Sequence, residues 1–131
     1  MTKPVQVKVV YMHPVWEEAP LEYSTRDSVG LDLRACLSTE EVSISPGCRV
    51  AIPTGVAVEI ETPNMAGFVF SRSGLGTKHG LVVSQGVGVI DPDYRGEIIV
   101  SLYNTSRTER SVFKGQRIAQ LLFMPAFQAA I

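Results

Sequence analysis

Two aspartates lie close together in the segment Gly88 to Glu97, which reads GVIDPDYRGE. Asp91 follows two apolar residues, and Asp93 comes directly before Tyr94. A partly shielded aspartate can act as a general base, and a tyrosine ring beside it can pack against a sugar or a base. The glycines at the two ends suit a tight hairpin, but a hairpin turn needs only one or two turn-forming residues. The segment is therefore a candidate site, and the alternative is a charged surface hairpin.

A second candidate is the run Ser71 to Gly76, SRSGLG, whose small residues let the backbone approach a ligand closely. The guanidinium of Arg72 can donate two parallel hydrogen bonds to phosphate oxygens. Ser73 is expected to cap a short helix over residues 73–78, at a terminus that favours an anion. An ordinary Ser/Gly turn beside one arginine explains the same residues equally well.

Two further polar residues interrupt apolar strands. Asp32 stands between Leu31 and Leu33, so it points away from the leucines if these share one face. It is either part of a site or an acid that faces solvent. Gln120 lies in the apolar run near the end of the chain, where a buried amide must satisfy backbone groups or reach a ligand. Arg117 is expected to be structural.

The elements that would position these residues are short strands. Alternating apolar segments of about 3–6 residues are separated by turn signals such as Pro46-Gly47 and Lys114-Gly115. No stretch of a dozen residues has an apolar stripe of helical period. We expect an all-β sandwich or barrel with at most one short helix, formed as a single domain over residues 1–131.

Composition excludes several classes of function. The net charge of −1 provides no basic field for holding a nucleic-acid backbone, so any related ligand must be small. No apolar run is long enough to span a bilayer, and the N-terminus lacks the apolar block of a secretory signal. Cys36 and Cys48 form neither a disulfide framework nor a zinc motif. We expect ordinary thiols in a reducing cytoplasm.

The four motifs GLDL, RSGL, GVIDPDYRG and GQRIAQ, in this order, resemble those of the trimeric dUTPase family, bacterial type. The resemblance spans nearly the whole chain. It implies a jelly-roll β-barrel and a homotrimer whose sites are shared between subunits. It also implies that dUTP is hydrolysed to dUMP and pyrophosphate with Mg²⁺, which limits uracil incorporation into DNA and supplies dUMP for thymidylate synthesis.

The same resemblance assigns roles to individual residues. Asp91 activates the attacking water, Tyr94 packs under the deoxyribose and excludes a 2′-hydroxyl, and Asp32 reaches the metal through water. The phosphates are expected to bind to Arg72, Ser73, Gly74 and Gln120. The uracil slot is expected at the hairpin backbone around Gln85, Val89, Ile90 and Ile99.

The sequence departs from the family pattern at three places. Gln85 stands where bacterial members commonly have asparagine, which puts its contact with the base in doubt, and Ser71 stands where proline is usual. The family also ends in a mobile tail with a Gly-Phe-Gly-Ser-Thr-Gly motif, whereas this sequence ends Ala129-Ala130-Ile131. We expect either a sequence that is cut short or a protein that works without this lid, with slower turnover.

Three other functions compete with dUTP hydrolysis. The related dCTP deaminase family shares the fold but has glutamate at the position of Arg95, which argues against deamination. A nucleotide-sensing or partner-docking trimer without useful turnover is expected to have lost its motif carboxylates, whereas Asp32, Asp91 and Asp93 are all present. A purely structural jelly roll does not explain Gln120, nor why carboxylate, aromatic and cationic side chains lie so close together in the DPDYRG run.

Overall fold

The computed structural model describes residues 4–131, so the first three residues of the expected domain lie outside the described part. The described chain is mostly β-strand, as expected. Its strands are β1 (Val7–Tyr11), β2 (Leu31–Arg34), β3 (Glu41–Ile44), β4 (Arg49–Ile60), β5 (Met65–Ser71), β6 (Leu81–Val83), β7 (Gly88–Ile90), β8 (Glu97–Asn104), β9 (Arg110–Phe113) and β10 (Arg117–Pro125). Its helices are α1 (Val15–Glu18) and α2 (Ser73–His79).

The strands form two four-stranded sheets, ordered β1-β4-β8-β6 and β2-β10-β5-β7, and a two-stranded sheet of β3 and β9. Every pairing is antiparallel. The expected all-β, jelly-roll-like architecture is thus confirmed. The limit of one short helix was wrong, because the four-residue α1 joins the predicted helix at α2. Within residues 4–131, no helix is both long and apolar enough to cross a membrane.

Alternating side chains from both large sheets form one hydrophobic core. In β8 the residues Ile98, Val100 and Leu102 are buried, while Ile99 between them is exposed. This alternation is the period that a strand with one buried face must have. The polar residues of the candidate site therefore lie on the outer side or at the ends of strands whose inner side is fixed by packing.

The segment 88–97 is not the hairpin that its glycines suggested. Its first part, β7, pairs with β5 in one sheet, whereas β8 pairs with β4 and β6 in the other. Residues 91–96 therefore connect two sheets whose strands diverge. Divergence opens a cleft between β7 and β8 that a two-stranded hairpin would have closed.

An irregularity in β4 supports the start of β8. The β4–β8 register shifts between Pro53 and Ala57, and Gly55 within that stretch has φ of +65°, a left-handed value that favours glycine. The Thr54 hydroxyl replaces a ladder bond by donating to the Ile98 carbonyl at 2.6 Å. From α1, the buried Trp16 donates its indole N–H to the Thr54 carbonyl at 2.8 Å. The bulge is thus fixed from both sides.

Candidate active site

The divergence of β7 and β8 creates a cleft of about 250 Å³, which we call the carboxylate cleft. It brings together six of the residues predicted from the sequence: Gln85, Val89, Ile90, Asp91, Tyr94 and Ile99. The remaining predicted residues lie elsewhere in the chain. The fold therefore brings these six predicted residues together, although the segment that carries them is not the hairpin that was expected.

Asp91 stands at the mouth of the carboxylate cleft. The backbone N–H of Tyr94 donates to the Asp91 carbonyl at 3.0 Å, which closes a turn with Pro92 at its second position, where proline is favoured. The turn leaves the Asp91 carboxylate exposed, and no group within residues 4–131 pairs or hydrogen bonds with it. The carboxylate also borders a larger cleft of about 850 Å³ beside Phe68 and Phe127. A free carboxylate between two openings can take a proton from a water.

Tyr94 is held in place by two contacts within its own segment. Its hydroxyl donates to the Glu97 carbonyl at 2.8 Å. Its ring lies against Gly96, where an added Cβ would stand 2.6 Å from the hydroxyl oxygen. Only glycine leaves room for the ring in this position. The exposed ring therefore presents a fixed face to the carboxylate cleft.

The walls of the carboxylate cleft are suited to backbone recognition. β7 is the last strand of its sheet, and an edge strand presents backbone N–H and C=O groups with no partner strand. Gly88 is buried, and a Cβ there would stand 3.3 Å from the Val69 Cβ and 3.4 Å from the Gln85 amide nitrogen. The glycine thus allows Gln85 to lie close to the edge strand. A planar ring with its own donors and acceptors would find complementary groups there.

A separate cleft of about 280 Å³ contains the remaining predicted residues and is called the arginine cleft here. The predicted residues that line it are Asp32, Arg72, Ser73, Gly74 and Gln120. The loop before β2 completes it with Ser24 and Ser28, which the sequence reasoning missed. Serines in a loop carry no periodic signal, so only the folded chain reveals them.

Asp32 and Arg72 form an ion pair inside the arginine cleft. The Arg72 Nε donates to Asp32 Oδ1 at 3.0 Å, and Arg117 Nη1 lies 3.6 Å from Asp32 Oδ2. Asp32 is half-buried and does not simply face solvent. Its carboxylate orients one guanidinium and is partly neutralised by a second. Arg117 has the structural contact that was expected of it.

Gln120 satisfies a backbone carbonyl and also lines a cleft. Its amide N–H donates to the Ser71 carbonyl at 3.1 Å, and the side chain also lines the arginine cleft. The amide oxygen lies above Gly30, where an added Cβ would stand 2.2 Å from it. Gly30 is therefore required by the position of the Gln120 side chain.

The expected capping role of Ser73 was wrong. The residue that caps α2 is Arg72, and no side chain makes a capping hydrogen bond, so Ser73 is the first helical residue and not the cap. Arg95 does not pair with Asp93 within residues 4–131. It donates to the Pro92 carbonyl at 2.8 Å, and its guanidinium lies 3.8 Å from the carboxylate of Glu59. Arg95 thus braces the turn that carries Asp91.

The two clefts are far apart within one chain. Ile90 pairs with Gly67 in the antiparallel ladder, so Asp91 lies level with Ala66, and Arg72 comes six residues after Ala66, just beyond the end of β5. At about 3.3 Å per residue this places Asp91 and Arg72 roughly 20 Å apart. Reacting groups must come within about 3–3.5 Å of one another. One copy of the chain therefore cannot apply both residues to the same reacting atom.

The described residues contain no group of three or more His, Cys, Asp or Glu side chains that could hold a metal ion. Magnesium, however, needs only one or two carboxylates when a bound phosphate supplies the other oxygens, and it keeps several waters. Asp32, which lines the arginine cleft beside Arg72, can supply such a carboxylate. The residues fit a magnesium ion that arrives with a phosphate ligand.

Comparison with known proteins identifies the family. The dUTPase family model matches residues 18–131. The chain belongs to the dUTPase family. A deoxyuridine 5′-triphosphate nucleotidohydrolase of Cronobacter sakazakii is 45% identical over 130 residues, which are 98% of this chain and 84% of that protein.

Solved structures agree with this assignment. A dUTPase from Streptococcus mutans superposes with a TM-score of 0.78 at 29% identity, covering 95% of this chain and 98% of that one. A mutant dUTPase from phage phi11 of S. aureus, described as coordinating a structural Mg(II) ion, superposes with a TM-score of 0.82 at 21% identity. That likeness covers 96% of this chain and 94% of that one, and it shows the shared fold.

Proposed function

We propose that this protein hydrolyses dUTP to dUMP and pyrophosphate, and so limits uracil incorporation into DNA and supplies dUMP for thymidylate synthesis. Membership of the dUTPase family supports the reaction. The observation that carries the mechanism is the unpartnered Asp91 carboxylate at the mouth of a cleft with a backbone-lined wall. Strands of both sheets, β7 and β8, form the two sides of this cleft.

In the proposed reaction Asp91 is the general base. Its carboxylate takes a proton from a water as the water oxygen bonds to the α-phosphorus of dUTP. The bond between this phosphorus and the bridging oxygen of the pyrophosphate breaks, so that the products are dUMP and pyrophosphate. Such a hydrolysis needs an in-line water, a base and neutralised phosphate oxygens, but no covalent nucleophile.

The base of the nucleotide is proposed to bind along β7 and β8, beside Gln85, Val89, Ile90 and Ile99. Uracil offers one donor and two acceptors that strand backbone can match. Cytosine has an amino group in place of one carbonyl, so the same backbone would leave groups unpaired. Slots built on hydrogen bonds discriminate much better than apolar ones, which favours uracil over cytosine.

The sugar is proposed to pack on Tyr94. The Tyr94 ring is fixed against Gly96, and its hydroxyl is hydrogen bonded to the Glu97 carbonyl. The ring therefore cannot easily move away from a hydroxyl group added to the sugar. A 2′-hydroxyl would then meet the ring and be left unsolvated. This accounts for the proposed preference for dUTP over UTP.

The phosphates are proposed to bind to Arg72, Ser73, Gly74 and Gln120 of a second copy of the chain. The roughly 20 Å between Asp91 and Arg72 in one copy supports a homotrimer with shared sites, since closed symmetry lets one copy's arginine cleft meet another's carboxylate cleft. Mixing Asp91→Asn with Arg72→Ala chains tests this directly. Random assembly should restore about a quarter of the sites, whereas an unchanged mixture would refute sharing.

Magnesium is proposed as the cofactor, brought by the triphosphate and contacted by Asp32 through water. When bound, it neutralises phosphate oxygens and thereby favours departure of the pyrophosphate. Arg72 donates a hydrogen bond to Asp32, so Asp32 orients the arginine in addition to making its proposed contact with the metal. Single-domain organisation over residues 1–131 and a cytoplasmic location remain predictions, and the free thiols of Cys36 and Cys48 agree with the latter.

The proposed function is tested by measuring pyrophosphate release from dUTP, dTTP, dCTP and UTP, with Mg²⁺ and with excess EDTA. We expect release from dUTP in Mg²⁺ to exceed release from dCTP by at least about 100-fold, since unpaired polar groups exclude cytosine. Release from UTP should also be lower than from dUTP, because its 2′-hydroxyl would meet the Tyr94 ring. An ammonia assay on dCTP, run in parallel, tests deamination. Equal release from all four nucleotides, or ammonia release from dCTP, would contradict the proposal.

A further inference from the structure

Glu97 comes three residues after Tyr94, the residue that is proposed to pack against the sugar. It is half-buried and lines the base of the carboxylate cleft. Its backbone carbonyl accepts the hydrogen bond from Tyr94, and its carboxylate Oε2 accepts a hydrogen bond from the Gly55 backbone N–H at 2.8 Å. One residue therefore joins the Tyr94 ring to the bulge of β4.

The bulge is a rigid anchor for this contact. Gly55 is buried at a left-handed φ of +65°, and an added Cβ would stand 2.8 Å from the His13 Cβ and 3.0 Å from the Cys36 sulfur. The Gly55 carbonyl also accepts a hydrogen bond from the Met12 backbone N–H at 2.8 Å. The N–H that holds the Glu97 carboxylate thus belongs to a peptide that cannot easily move.

We infer that Glu97 is a positioning residue that determines sugar specificity: its carboxylate, bonded to the Gly55 N–H, fixes the backbone carbonyl that holds the Tyr94 ring under the deoxyribose. The inference rests on the proposed hydrolysis of dUTP. Glu97 contacts neither the sugar nor the reacting water. It acts through Tyr94 by limiting the movement of the ring away from a 2′-hydroxyl.

The length of the side chain makes the inference testable. Glu97→Gln keeps an acceptor oxygen at the same reach, whereas Glu97→Asp keeps the charge but falls one methylene short of the Gly55 N–H. Losing a hydrogen bond to a charged group changes a rate or equilibrium by about tenfold or more. We expect the ratio of kcat/KM for dUTP to that for UTP to fall about tenfold in Glu97→Asp and to stay within about threefold in Glu97→Gln.

The matched control is Glu61→Asp, the same change in an exposed glutamate whose partner is Lys8 at 3.7 Å. It should keep the wild-type ratio. An unchanged ratio in Glu97→Asp, or equal losses in Glu97→Asp and Glu97→Gln, would overturn the inference. A wild-type protein that releases no pyrophosphate from dUTP would instead refute the proposed function.

A second readout does not depend on hydrolysis. In the ligand-free protein, Glu97→Asp should speed hydrogen exchange of the Gly55 amide and shift the NMR signals of the Tyr94 ring, while Glu97→Gln should leave both close to wild type. Unchanged exchange and ring signals in Glu97→Asp would overturn the positioning role, whatever the activity of the protein.

Discussion

Gly30→Ala is expected to disable the arginine cleft without unfolding the protein. The new Cβ would stand 2.2 Å from the Gln120 amide oxygen, closer than real Cβ contacts come, and 3.1 Å from its amide carbon, which is a tight contact. The obstructing atoms are the end of a flexible side chain, so Gln120 can rotate away while the strands stay in place. It would then lose its hydrogen bond to the Ser71 carbonyl and its position in the cleft.

The two consequences differ in size. Loss of one ordinary hydrogen bond costs about 0.5–1.5 kcal/mol of unfolding free energy. Loss of a hydrogen bond to a charged phosphate costs about 1.5–3 kcal/mol, which is roughly 10–150-fold in kcat/KM. We therefore expect a small fall in thermal stability and a large fall in kcat/KM for dUTP.

A double-mutant cycle isolates the cause, with pyrophosphate release and thermal denaturation as assays. Because Gly30→Ala acts through Gln120, the double variant with Gln120→Ala should be little worse than Gln120→Ala alone. Gly76→Ala in α2, whose Cβ would meet Val82 at an ordinary 3.5 Å, is the matched control and should keep wild-type kinetics. Additive losses in the cycle, or wild-type kinetics in Gly30→Ala, would show that Gly30 does not act through Gln120.

Two further predictions concern the frame of the fold. Asn104→Ala should lower the unfolding free energy by about 2–4 kcal/mol, because it leaves the hydrogen-bond partners of the buried Asn104 side chain unpaired. A thermal or urea melt measures this loss, and a loss under about 1 kcal/mol would contradict the prediction. Burial raises the pKa of Cys36 from its ordinary 9.0 to about 11, although the Trp16 contact opposes this. The folded state therefore binds this proton more tightly than the unfolded state does. The contribution of Cys36 to the free energy of unfolding is fully present below pH 9 and is lost as the pH rises towards 11. Cys36→Ala should flatten the fall in stability across this window, and in the native protein at neutral pH a thiol reagent should modify the exposed Cys48 and spare Cys36.

The sequence predicted most of the strands because their pattern is local. The alternation around Val42, Val58 and Ile118 reappears in β3, β4 and β10, and the small-residue run after Arg72 reappears in α2. Such patterns depend only on which face of an element is buried. They fix the elements, but they do not determine which strands pair.

The incorrect predictions from the sequence concern features that depend on which strands and side chains pair. The run from Gly88 to Glu97 has the composition of a hairpin, yet β7 and β8 join different sheets. The run Pro53-Thr54-Gly55 has the residue types of a turn, but it forms a bulge within the twelve-residue β4. Ion-pair partners were equally non-local, since Arg95 pairs with Glu59 and Asp32 pairs with Arg72. The motifs indicated the candidate residues, whereas their division between two clefts required the fold.

Asp91 is proposed to activate the water that attacks dUTP. Asp91→Asn keeps the size and shape of the side chain but removes the base, so kcat should fall roughly 10²–10⁴-fold. Binding of a non-hydrolysable dUTP analogue, measured by calorimetry with Mg²⁺, should remain within about threefold of wild type because the slot and Tyr94 are unchanged. Single-turnover pyrophosphate release from Asp91→Asn is the decisive measurement. A loss in that range with binding retained is the predicted result, and a near-normal rate would contradict the account.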